Sequence, residues 1–108
     1  MRHAAVMIRD NTLYMFYTVV GHAPESILLS TIDLTLPCEK WEVSEPVEVA
    51  KPEMDYEGTQ YPIEPSRFGA TSSAQQLRDP CIFEEDGKIF LLYSVAGESG
   101  IAIAEFEF

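Results

Sequence analysis

The stretch Asp79-Pro80-Cys81-Ile82-Phe83-Glu84-Glu85-Asp86-Gly87-Lys88-Ile89-Phe90-Leu91-Leu92-Tyr93-Ser94-Val95-Ala96-Gly97 decides the fold, because it is a second copy of the segment from His3 to Gly21. Laid position on position, Asp10, Tyr17, Val19 and Gly21 meet Asp86, Tyr93, Val95 and Gly97. Between these identities Val6 meets Ile82, Met7 meets Phe83, Leu13 meets Ile89, Tyr14 meets Phe90, Phe16 meets Leu92 and Thr18 meets Ser94. Similarity sustained at one fixed offset is the mark of an internal repeat. Each copy reads as an apolar run, a polar turn (Asp10-Asn11 or Asp86-Gly87), a second run rich in aromatic and branched residues, and a break at glycine, which is a hairpin pattern. A third run follows in each, Ile27 to Ile32 and Ile101 to Phe106, so both copies predict a meander of three antiparallel strands.

Outward from the repeat, only the first copy continues into a fourth run, where Trp41, Val43, Val47 and Val49 alternate with Glu42, Ser44, Pro46 and Glu48. Pro46 has no N–H to donate and the alternation leaves one acidic face, which places this strand at a sheet edge facing water. Residues 1–50 thus form a first unit, 51–77 a long connection carrying Pro52, Pro62 and Pro65, and 78–108 a second, three-stranded unit. Long irregular connections are uncommon in small domains unless they carry function.

The central strand of each copy is apolar on both sides. Leu13, Met15, Tyr17 and Val19 alternate with Tyr14, Phe16 and Val20, as Ile89, Leu91, Tyr93 and Val95 do with Phe90, Leu92 and Ala96. A sheet with one solvated face would alternate apolar with polar, so these sheets require cover on both faces. The expected class is all-β, with antiparallel four-stranded meanders stacked as two β-propeller-type blades. A sandwich of two small sheets buries only one face of each and explains the pattern less well.

Composition narrows the function classes. At 108 residues the chain has room for one domain, and its 46% hydrophobic content supplies a core. Its 7 basic against 18 acidic residues, a net charge of −11, leave no cationic surface for phosphates, which argues against nucleic acid and anionic membrane as partners. No apolar run approaches the roughly 20 residues of a membrane span, and Met1 to Ala5 lacks an apolar signal core, so a cytoplasmic location is expected. Cys38 and Cys81 fit two free thiols, with a single bridge as the alternative. No cofactor motif occurs, and a metal site drawn from His3, Asp10 or Glu57 has no ligand spacing to support it.

The residues Leu77-Arg78-Asp79-Pro80-Cys81-Ile82-Phe83, running into the hairpin up to Ser94, resemble the blade-opening motif of the five-bladed β-propeller glycoside hydrolases, the arabinanase, xylosidase and invertase-like enzymes. His3 to Thr18 looks like the preceding blade of the same group. The resemblance covers nearly the whole chain but only about two blades of five, which implies the C-terminal portion of a partial five-bladed propeller. It also implies a carbohydrate ligand, and a role for Asp79 in supporting the transition state or tuning the acid of a glycosidase.

The same residues can be read chemically. Pro80 disfavours the helical region for Asp79 and pushes it toward extended geometry, fixing its carboxylate at the strand entrance beside Arg78. A carboxylate held in its charged form there orients a sugar hydroxyl or stabilises positive charge. The alternative is that Arg78 and Asp79 merely order the strand start. Glycosidic hydrolysis needs a second carboxyl group. Glu64, stiffened by Pro62 and Pro65, is the first choice, with Asp79 and Glu64 the candidate catalytic pair. His3 aligns with Asp79 where the family carries an acid; its ring suits a proton donor or sugar ligand, and a frayed terminus is the simpler reading. Arg78, His3, Tyr61 and Glu57 are the candidate substrate-binding residues, the last two on an acidic, aromatic loop that reads equally as a solvated rim. Trp41 is read as core rather than as a stacking platform, and His22 as an exposed turn residue.

Two blades in isolation leave two apolar faces bare. Each exposed large side chain forgoes about 1.5–3 kcal/mol, so the total rivals a domain's net stability of roughly 5–15 kcal/mol. The sequence therefore predicts a homo-oligomer, either a symmetric dimer stacking like faces or a ring in which copies replace missing blades, with an interface above about 1,200 Å². The functional expectation is a glycoside-hydrolase-like propeller portion that is not catalytic alone, or else a non-catalytic carbohydrate-binding or structural module.

Overall fold

Each apolar run of the repeat becomes a strand. A computed structural model describes residues 2–63 and 74–106, which form seven strands and two short 3-10 turns, with no α-helix among the described residues. The strands are β1 Arg2–Arg9, β2 Thr12–Thr18, β3 Ile27–Asp33, β4 Val47–Ala50, β5 Arg78–Glu85, β6 Lys88–Val95 and β7 Gly100–Phe106. They make two antiparallel meanders in sequence order, a four-stranded sheet β1-β2-β3-β4 and a three-stranded sheet β5-β6-β7. The first is the one expected from residues 1–50, and the second begins at Arg78 as the repeat requires.

The repeat persists in backbone detail. Both opening hairpins turn on two residues of positive φ, Asp10 and Asn11 at 51° and 61°, and Asp86 and Gly87 at 51° and 76°. That pair of left-handed residues gives a turn whose twist matches the flanking strands, and Asp, Asn and Gly tolerate it best. Both opening strands also carry a bulge at the same place, between Arg2 and Ala5 in β1 and between Arg78 and Cys81 in β5.

The fourth run of the first copy is corrected. Instead of a strand from Trp41 to Val49, the chain makes a 3-10 turn at Cys38–Lys40 and an irregular segment, and pairs with β3 only over Val47–Ala50. Pro46 is the physical break, since it cannot donate to a ladder. Upstream of it Ser44 bonds Thr31 through both its backbone and its hydroxyl, so a side-chain contact stands in for a ladder. Trp41 is exposed rather than in the core, its indole N–H donating to the Leu36 carbonyl at 2.8 Å.

The two sheets share one core, and the faces that meet in it are not equivalent. From the first sheet come Phe16, Tyr14, Ala5 and Leu29, on one face by their pairing, together with buried Ile27. From the second come Leu91, Tyr93, Val95, Ile82 and Ala104. Yet Phe16 corresponds in the repeat to Leu92, whose side chain leaves the opposite side of β6 from Leu91 and Tyr93. The sheets therefore pack head to tail, one face of the first copy on the other face of the second. The Phe16 and Phe106 rings meet edge to face across this junction, centroids 5.3 Å apart. Of the residues expected to need cover, Phe16 and Ile89 are buried, whereas Leu13 and Leu92, on the two outward faces, are only half-buried.

Candidate functional site

The repeat brings its own corresponding residues together. His3 in β1 and Asp79 in β5 sit at the same bulge position, with φ of 53° and 51°. The His3 Nδ1 lies 2.8 Å from Asp79 Oδ1, and both side chains remain partly open to solvent. The Ser94 hydroxyl in β6 donates to the other oxygen, Asp79 Oδ2, at 2.9 Å. Asp79 is thus held from both sides at the rim where the two opening strands meet. His3 is no frayed terminus, because the bulge turns it toward its counterpart.

Two expectations about this motif are overturned. Asp79 is not extended: despite Pro80 its φ is +51°, a left-handed conformation that costs a non-glycine residue of order 1–3 kcal/mol and persists only where surroundings impose it. Here the bulge and the Ser94 and His3 contacts impose it. Arg78, expected as a substrate-binding cation, is fully buried. Its Nε and Nη2 both donate to Gln76 Oε1, at 3.0 and 2.7 Å. Its Nε also lies 3.3 Å from the carboxylate of Glu25 and its Nη1 3.5 Å from that of Glu98. Glu25 is itself fully buried in the connection between β2 and β3, and its carbonyl accepts the Leu77 N–H at 2.8 Å. A guanidinium meets several acceptors in fixed planar geometry, so Arg78 clamps the start of the second sheet onto the first.

The acidic, aromatic loop divides in the same way. Glu57, expected on a sugar-binding rim, is buried: its Oε1 accepts the N–H groups of Glu53 and Met54 at 3.2 and 3.1 Å, and its Oε2 accepts the Tyr93 hydroxyl at 2.8 Å. With both oxygens accepting hydrogen bonds from the protein, this carboxylate closes the 3-10 turn Asp55–Glu57 against β6. Burial, followed by the Glu57 hydrogen bond and its negative charge, pushes the Tyr93 hydroxyl well above its ordinary pKa of 10.0. Since Tyr93 and Ser94 are consecutive in a strand, Glu57 and Asp79 are held on opposite faces of β6. Gly58 follows with φ +95°, and a Cβ there would lie 2.5 Å from the Ala74 carbonyl oxygen. Only glycine lets the chain pass so close.

Beside this turn a cavity of about 350 Å³ is lined by Val49, Lys51, Glu53, Tyr56 and Tyr93, where the exposed Tyr56 ring supplies the aromatic wall. Tyr61 is half-buried, its N–H donating to the Gly58 carbonyl. Glu64, the candidate second carboxylate, lies outside the described residues. His22 is half-buried rather than exposed, with its Nδ1 buried and unpartnered. Both cysteines are free and exposed, and no group of His, Cys, Asp and Glu suited to a metal ion occurs among the described residues. Glu25, Gln76, Glu98 and Ser94 were not legible as partners from sequence. The one available signal was electrostatic: a motif arginine entering a core demands buried acids somewhere.

Among comparisons with known proteins, no family model and no solved structure matches the chain. A curated relative does: a protein of Acanthamoeba polyphaga mimivirus named "Uncharacterized protein R118" is 40% identical over 104 residues, 94% of this chain. The chain spans 29% of the length of that relative.

Proposed function

We propose that this chain is a two-blade portion of a glycoside-hydrolase-like β-propeller and that its His3–Asp79 pair binds sugar hydroxyls at the axial end of the innermost strands, without hydrolysing a glycosidic bond alone. The observation that carries this reading is the convergence of two repeat-equivalent polar residues, each at positive φ, to 2.8 Å at an open rim. Strained backbone and a fixed, partly solvated carboxylate are what a ligand-orienting group requires. Asp79 accepts from Ser94 and faces His3, so the pair offers an acceptor and a ring nitrogen to a diol-like ligand. Head-to-tail stacking of the two sheets further supports the blade reading, since rotation about an axis brings unlike faces together, whereas a two-fold sandwich joins like faces.

Catalysis by this chain alone lacks a second free carboxyl group at the pair among the described residues, because Glu57 is consumed by backbone and Tyr93. That favours the second reading, a structural or carbohydrate-binding module without enzymatic activity. The test is binding to a panel of oligosaccharides and turnover of aryl glycosides, each with wild type and Asp79→Asn. Binding abolished by Asp79→Asn, with negligible turnover in both, supports the proposal. Absence of binding in the wild type removes the sugar site and leaves the structural module.

A further inference from the structure

The contacts around Asp79 decide where the proton of the neighbouring His3 ring sits. Asp79 Oδ2 accepts the Ser94 hydroxyl at 2.9 Å, and Oδ1 lies 2.8 Å from His3 Nδ1. An ionised carboxylate only accepts, so the ring turns a donor toward it and carries a proton on Nδ1. A neutral imidazole holds one such proton, which leaves Nε2 a bare acceptor. The ring meets Asp79 through Nδ1, and His3 as a whole is exposed. The repeat shows how the arrangement is built. The ring and the carboxylate occupy one motif position used twice, and the hydroxyl that steadies the carboxylate stands where the first copy has Thr18.

We infer that His3 Nε2 is the acceptor this site presents to a ligand hydroxyl, and that Asp79 and Ser94 are positioning residues that act through the ring. This rests on the reading of the pair as a sugar site and narrows its ligand. A bare ring nitrogen beside a fixed carboxylate takes a group that donates a proton, so a neutral sugar fits. The carboxylate of an acidic sugar brings only acceptors, and a charge of the same sign as that of Asp79.

The tautomer is read without any ligand, by long-range proton–nitrogen correlation spectra at about pH 9, where imidazoles are neutral. The chain has 2 histidines, and His3→Gln identifies the His3 signals by their loss. The expected result is Nδ1 protonated and Nε2 bare in the wild type, with the proton moving to Nε2 in a large share of the rings of Asp79→Ala. A protonated Nε2 in the wild type, or a tautomer unchanged in Asp79→Ala, overturns the inference.

Titration with the neutral oligosaccharides of the panel and with oligogalacturonates tests the ligand side. The amide of glutamine lies where Nε2 does and that of asparagine where Nδ1 does. His3→Gln is therefore expected to weaken binding of the neutral sugar about tenfold, the worth of one hydrogen bond, and His3→Asn to abolish it. Ser94→Ala is expected to weaken it about tenfold as well, and Ser94→Thr, the residue of the first copy, to restore it. Binding kept by His3→Asn and lost by His3→Gln, or oligogalacturonate bound as tightly as a neutral sugar, overturns the inference. A wild type that binds neither sugar removes the sugar reading, while the tautomer alone then decides which atom the site presents.

Discussion

His3 and Asp79 occupy the same position in two successive sheets and meet across the junction between them, Nδ1 to Oδ1 at 2.8 Å. A pair made from one motif position used twice has little to do with holding the sheets together, since partly exposed ion pairs contribute only about 0–1 kcal/mol. Asp79→Asn is therefore expected to shift the denaturant midpoint little while abolishing oligosaccharide binding. Equilibrium unfolding in urea alongside the binding panel checks it; a large loss of stability with binding retained contradicts the assignment.

Arg78 is where the stability lies. Its guanidinium is fully buried between Gln76, Glu25 and Glu98, and Arg78→Met removes this ion pair from the buried Glu25 carboxylate. Breaking one side of such a buried pair costs about 3–5 kcal/mol. Arg78→Lys is expected to recover only part, because an ammonium cannot reproduce the planar fork. Chemical denaturation of the three proteins gives the order wild type, Lys, Met.

Tyr93 sets the alkaline limit. Tyr93→Phe strips Glu57 of a buried donor and is expected to cost about 1–3 kcal/mol. The folded chain raises the Tyr93 pKa above its ordinary 10.0, so the protonated hydroxyl is favoured in the fold. Its contribution is complete below pH 10.0 and is lost as the pH rises from there toward the raised value. An absorbance titration at alkaline pH is expected to show a tyrosine ionisation that appears only as the chain unfolds, and Tyr93→Phe is expected to remove this step.

Gly58 and Gly21 separate conformational strain from collision. Both have φ +95°, but a Cβ at Gly21 meets nothing within 4 Å, whereas at Gly58 it meets the Ala74 carbonyl oxygen at 2.5 Å and the Ala96 Cα at 3.0 Å. Gly21→Ala is expected to cost about 1–2 kcal/mol from the left-handed conformation alone. Gly58→Ala adds displacement of two backbone segments, for a total on the order of 3 kcal/mol or more. Thermal melts of the two variants check the difference.

The amino-acid sequence alone settled the three consecutive strands of each copy and where their opening hairpins turn. Period-two patterning, Asp-Asn and Asp-Gly turns and the echo of Tyr17 by Tyr93 are local signals, decided by neighbours within a few residues. It also showed that Phe16 and Ile89 would need cover. It placed the strand around Trp41 wrongly, because alternation survives in a segment that Pro46 prevents from pairing. What only the tertiary structure decided is which faces meet, that His3 reaches Asp79, and that Arg78 and Glu57 turn inward to Gln76, Glu25 and Tyr93. Of these contacts, His3 with Asp79, Arg78 with Glu25 and Glu57 with Tyr93 join residues tens of positions apart in the chain. Charge in a sequence does not say whether water or a buried partner will solvate it; that choice is made when two sheets close on each other and the desolvated groups must find donors and acceptors there.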